Sequence, residues 1–156
     1  MIVFDVEAGG LSTESYPIEI AWQDSENPAR FDSFLIKPAT SWAHWDTYAE
    51  TDIHHISREM LELDGISIEA ACNRLNSRLS DMTIYSDAID YDQRWVERLF
   101  KGAGITQQFC CESIYSAIDN LPLQWDESAT EREVVKHRAL DDVRQIIRLL
   151  FQVKRN

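Results

Sequence analysis

The stretch from Ile2 through Asp5, Glu7 and Gly10 to Leu11 constrains the fold more than any other part of the chain. Ile2, Val3, Phe4 and Val6 make a short continuous apolar run closed by Gly9 and Gly10, the pattern of a strand covered on both faces. Asp5 and Glu7 interrupt it two residues apart, so on a strand their side chains point to one face. Two carboxylates side by side at the end of a buried strand are costly unless something positive compensates them, and a divalent cation does so economically. The glycines allow backbone to approach a ligand closely. This strand therefore predicts the floor of a functional site.

The following segments supply its walls. Ile18, Ile20 and Trp22 alternate, predicting a strand over 16–23. Residues 25–28 read as a turn, and 30–37 as a second alternating strand ended by Pro38. With the first strand these form an antiparallel meander of three. Residues 40–56 are irregular and rich in rings, among them Trp42, Trp45, Tyr48 and His54. Ser57 reads as a helix N-cap and Gly65 as a stop. Ile68, Ala71, Cys72, Leu75 and Leu79 fall at helical spacing. Short strands are predicted at 82–85 and 109–111, and helices at 87–100, 114–121 and 139–153. Thr130 and Glu133 have capping-box spacing. A meander followed by strands alternating with helices predicts one α/β domain over residues 1–156, built on a single mixed sheet.

No apolar run approaches a membrane span and no signal peptide opens the chain, so a cytoplasmic protein without membrane contact is expected. Cys72, Cys110 and Cys111 have neither zinc spacing nor a disulfide framework and read as small buried hydrophobes in a reducing compartment. The net charge of −12 argues against a module that grips long nucleic acid by a basic surface. It leaves room for an acidic cleft neutralised by metal ions.

Helical geometry then sorts two pairs of aspartates. Asp92 shares a face with Trp95, Val96 and Leu99, whereas Asp90 lies over Arg94 and Arg98 on the polar face. Asp142 shares a face with Ala139, Ile146 and Leu149, whereas Asp141 lies over Gln145 and Arg148. Asp90 and Asp141 read as solvated charges. Asp92 and Asp142 are charges on stripes that face the core, to be explained by a metal or by backbone hydrogen bonds. His137, five residues before Asp142, would lie about 140° from it on a continuous helix. The two meet in one site only if His137 sits at or before the helix start. A single Asp-x-Glu is weak, since roughly one is expected by chance in so acidic a chain and Asp24–Glu26 is another. The weight lies in the set Asp5, Glu7, Asp92, Asp142 and His137.

That set, in order, resembles the DEDDh branch of the DnaQ-like 3′–5′ exonucleases in the ribonuclease H-like superfamily. The matching motifs are Phe4-Asp5-Val6-Glu7 with Gly10 and Leu11, Asp87 through Tyr91 to Asp92, and His137 followed after four residues by Asp142. Ile53-His54-His55-Ile56-Ser57 is similar to the family's His-Gly-Ile-Ser/Thr stretch, with His55 where glycine is common and Asp87 where asparagine is common. The resemblance implies a ribonuclease H-like fold: a mixed five-stranded sheet, meander of three plus two parallel strands, flanked by helices and centred on Asp5 and Glu7. It implies two Mg²⁺ or Mn²⁺ ions held by Asp5, Glu7, Asp92 and Asp142, with His137 as general base toward water. Gly10 and Leu11 would lie against the terminal nucleotide, with His54, Asp87 and Tyr91 as further substrate contacts and Trp42 and Trp45 nearby. The implied partners are DNA or RNA 3′ ends, single-stranded or frayed, releasing nucleoside monophosphates. Two alternatives stand beside this: an oligoribonuclease-like enzyme for very short oligonucleotides, and a proofreading or binding subunit of a larger assembly. Homodimer and partner subunit are both left open.

Overall fold

The run that opens the chain becomes β1 (Ile2–Ala8), the middle strand of five in the order β3-β2-β1-β4-β5. The computed structural model describes residues 1–118 and 138–153; Thr130, Glu133 and His137 lie outside them, as does the last part of the predicted 114–121 helix. β2 (Pro17–Asp24) pairs antiparallel with β1 and with β3 (Phe31–Leu35). β4 (Thr83–Ser86) runs parallel to β1, and β5 (Cys110–Ser113) parallel to β4. The five-stranded mixed sheet expected from the sequence is present, with Asp5 and Glu7 on its central strand.

Alternation along β1 divides the protein into layers. Ile2, Phe4 and Val6 face a core shared with α2 (Ile68–Leu79) and α3 (Ile89–Ala103), through Leu75, Leu79, Trp95 and Leu99. Val3 faces the other way, onto α5 (Ala139–Val153), where Val143, Ile146, Ile147 and Leu150 pack. Asp5 and Glu7 share the parity of Val3, so they point into the α5 layer. β2 is buried along both faces from Pro17 to Gln23, which simple alternation does not suggest. The reason is polar pairing across the second face: Glu19 accepts from Arg138, and Gln23 from Arg144.

Local signals behave as read. The Ser57 hydroxyl accepts from the Met60 N–H at 3.1 Å at the start of α1 (Arg58–Asp64), and Ser67 does the same for Ala70 at 3.2 Å. Gly65 ends α1 for a packing reason, since a Cβ there would come within 2.7 Å of the Lys37 nitrogen. α4 is short (Ile114–Ala117). The cysteines depart from expectation: Cys72 is buried, but Cys110, on the outermost strand β5, is exposed.

The ring-rich segment contains a π-helical turn, Ala49–His54, that ends at His55 in the left-handed conformation (φ 55°, ψ 28°). That conformation costs an L-residue about 1–2 kcal/mol, and glycine escapes it while gaining freedom in the unfolded chain. His55→Gly is expected to raise the melting temperature by a few degrees, for a net gain of about 1 kcal/mol or less. An unchanged or lower melting temperature would mean that the imidazole stabilises the turn by more than its backbone costs.

Candidate active site

Asp5 and Glu7 project from β1 toward α5, and the first turn of α5 brings Asp142 to them. One carboxylate oxygen from each of the three lies within 4.8 Å of the others. Asp92 comes from the first turn of α3, the helix on the opposite face, and is 3% exposed. Its carboxylate accepts from the Ser86 hydroxyl and from the Val6 backbone N–H. It is therefore a buried aspartate with backbone and hydroxyl partners and, at the same time, the strongest charge acting on Asp5. Asp90 and Asp141 are exposed, as the helical facing predicts. On α5 the buried stripe is Ala139, Val143, Ile146, Ile147 and Leu150, so Asp142 stands at its flank, with Leu149 only partly covered.

Burial is the leading cause of each raised carboxylate pKa here, and like charges add to it at Asp5, Glu7, Asp92 and Asp142. Asp5 is held well above the ordinary carboxylate range by burial, then by Asp92, Glu7 and Asp142. Burial and then Asp142, Glu19 and Asp92 push Glu7 up to about 8, against a lowering influence of Arg138. Burial takes Asp92 to about 8 despite the Ser86 and Val6 hydrogen bonds. Asp142 reaches about 7 through burial and then Asp87, Asp141 and Glu19. Asp87 is raised as well, again by burial. Oxygen donors this close, each resisting ionisation, fit a hard divalent cation, which would supply the missing positive charge.

A cleft of about 350 Å³ opens onto these groups. Gly10, Leu11, His54, Asp87 and Tyr91, the substrate contacts read from the sequence, all line it together with the four acids. Asp46, Tyr48, Ile53 and Trp95 line it too; the sequence marks Tyr48 only as one ring among several in an aperiodic segment, and gives no signal at Asp46. Leu11, Tyr48 and Tyr91 are 72%, 66% and 51% exposed, large apolar surfaces left bare along an acidic cleft. Such rings and side chains suit stacking against nucleobases.

Two of these cleft residues also have neighbours within the protein that fix their places. Gly10 (φ 148°) lacks a side chain because Asp46 occupies the space: a Cβ there would lie 2.8 Å from the Asp46 Cβ. His54 is 1% exposed, and its Nδ1 accepts from the Ile56 N–H at 3.0 Å. Burial lowers its pKa to about 4. At neutral pH its proton therefore sits on Nε2, a buried donor with no hydrogen-bond partner among the described residues. Trp42 and Trp45 pack rather than line the cleft. Trp42 stacks on Tyr16 with ring centroids 5.3 Å apart, and the Trp45 indole donates to Glu50 at 2.6 Å. Arg98 on α3 donates to the carbonyls of Thr13 and Glu14 at 2.9 and 3.2 Å, tying the loop of Gly10 and Leu11 to the helix of Tyr91 and Asp92.

A mixed sheet of this order, with acidic residues on the central strand and on helices from both faces, is the ribonuclease H-like fold. No family model and no curated protein matches the sequence. By structure the chain is similar to exonuclease I. One exonuclease I structure superposes with a TM-score of 0.75 at 17% identity, over 99% of this chain and 40% of the other. The zinc-bound Escherichia coli exonuclease I complex with single-stranded DNA gives 0.72 at 15% identity, over 96% and 39%. Exonuclease I from Methylocaldum szegediense gives 0.62 at 15% identity, over 74% and 27%. The chain thus spans well under half the length of these neighbours, and at such identities the likeness is one of fold.

The raised carboxylates set an expectation for stability. A group whose folded pKa lies above its unfolded value favours the fold at low pH and loses that contribution as pH rises through the folded value. In chelator, the melting temperature should therefore fall between about pH 5 and pH 8, through the values near 7 and 8 at Asp142, Glu7 and Asp92. Mn²⁺ should restore it, more strongly at pH 8 than at pH 6, and Asp92→Asn should flatten the chelator profile. A profile in chelator that is flat for the unaltered protein would contradict this account of the site.

Proposed function

We propose that the chain is a divalent-metal-dependent 3′–5′ exonuclease that removes nucleoside monophosphates from single-stranded or frayed nucleic-acid ends. The observation that carries this reading is the meeting of Asp5, Glu7 and Asp142 oxygens within 4.8 Å, beside Asp92, in a cleft with bare apolar and aromatic walls. The fold shared with exonuclease I, which has been crystallised with single-stranded DNA, supports the same reading.

Asp5, Glu7, Asp92 and Asp142 would hold two Mg²⁺ or Mn²⁺ ions. Oxygen-only donors suit these hard cations. When bound, such ions supply Lewis-acid stabilisation of charge on a phosphate undergoing in-line displacement. The remaining work falls to the chain. His137, neutral, accepts a proton from the attacking water. Leu11, Tyr48 and Tyr91 offer surfaces for the last bases of the strand. The Nε2–H of His54 supplies a hydrogen bond to a substrate oxygen that enters the cleft. Asp87, raised above the ordinary carboxylate range by burial, lines the cleft with Tyr91 as a further substrate contact.

The decisive assay uses 5′-labelled DNA and RNA oligonucleotides of several lengths with Mg²⁺ or Mn²⁺. A ladder shortening from the 3′ end is expected, and the minimum length cleaved separates this reading from an enzyme confined to very short oligonucleotides. Asp92→Asn and Asp142→Asn should abolish the ladder, while Asp90→Asn and Asp141→Asn should retain most of it. His137→Ala should lower turnover by roughly 10²–10⁴-fold with Mn²⁺ affinity unchanged. Loss of Mn²⁺ binding in that variant would make His137 a ligand instead, and no shortening of any substrate would refute the nuclease reading.

A further inference from the structure

We propose that Glu19 is a positioning residue for this site: it grips the start of α5 and so sets where Asp142 stands relative to Glu7. The inference rests on the metal-site reading above. Glu19 is the partner of Glu7 across the β1–β2 ladder and is 2% exposed. Its two carboxylate oxygens accept from Arg138 Nε at 3.1 and 3.0 Å, and Oε1 accepts from Arg138 Nη2 at 2.6 Å. Oε2 also accepts from the Ala139 backbone N–H at 3.1 Å. Arg138 is the residue whose carbonyl takes the first hydrogen bonds of α5, from the N–H groups of Asp141 and Asp142 at 2.8 and 3.1 Å.

The first N–H groups of a helix have no partner inside it, and a carboxylate placed there also meets the positive end of the helix dipole. Glu19 thus holds the cap residue and a first-turn N–H from a strand that cannot move without moving Glu7. The apolar stripe of α5 fixes which face meets the sheet. It does not by itself set the helix along or about its axis as closely as a forked, charge-assisted pair does. Metal ligands must fall within a few tenths of an ångström of their places. A buried ion pair is seldom a net source of stability, so precise orientation of the helix start accounts better for keeping a carboxylate at Glu19.

Charge and position have opposite consequences at Arg138, which makes the proposal testable. Removing the guanidinium leaves the acidic site more negative, so charge alone would tighten Mn²⁺ binding. Loosening the helix start would weaken it. Mn²⁺ is titrated calorimetrically into the unaltered chain, Arg138→Ala and Arg138→Lys, with amide exchange read at Asp141 and Asp142 and folding checked by melting. Arg138 is 35% exposed, so its truncation leaves the apolar core intact. Arg138→Ala is expected to bind Mn²⁺ about 10–100-fold more weakly, with faster exchange at both amides. Arg138→Lys, which keeps the charge without the fork, should lie between. Affinity equal to or tighter than that of the unaltered chain in Arg138→Ala would overturn the proposal. If the unaltered chain binds Mn²⁺ but degrades no oligonucleotide, the nuclease reading fails while affinity and exchange still decide the role of Glu19.

Discussion

Mutual repulsion among acids crowded at the floor of one cleft is the constraint around which this protein is arranged. β1 has strands on both edges and helices on both faces, so the charges of Asp5 and Glu7 meet solvent only through the cleft. The fold worsens the problem by adding Asp142 from one layer and Asp92 from the other. A chain selected for stability alone would carry amides or apolar residues here. Keeping carboxylates here costs stability, the pattern expected where function sets the residue type.

Much of this was legible in the sequence because it depends on short-range periodicity. The parity of Asp5 and Glu7, and the difference between Asp92 and Asp90 or Asp142 and Asp141, follow from strand and helix repeats that no tertiary contact needs to specify. Other features were not legible for an equally physical reason. Glu19 reads as the polar half of an alternating strand, and its partner lies 119 positions away. Tyr48 and Asp46 sit in a segment with no period, so only the folded chain shows that Asp46 fills the space beside Gly10. His54 was picked out by its motif, but its protonation follows from the Ile56 hydrogen bond, which local pattern does not give.

The acidity of the chain also acquires a more local meaning. Several arginines are committed to rings or carbonyls: Arg94 lies 4.2 Å from the Trp95 ring centroid, Arg58 5.6 Å from that of Trp45, and Arg98 holds the Thr13–Glu14 loop. These cations act as structural braces. Among the described residues no Arg or Lys lines the cleft, whose floor is acidic and whose walls are bare at Leu11, Tyr48 and Tyr91.

The union of β2 with the start of α5 also bears on folding. Joining segments this far apart closes a long loop, whose entropic cost must be met before the contacts that reward it exist. The three-carboxylate set therefore forms late, only when α5 docks, and any partly folded chain with α5 adrift lacks it. Mn²⁺ affinity would in that case serve as a readout of completed folding. A cluster whose carboxylates come from segments so far apart in sequence exists only in the finished fold.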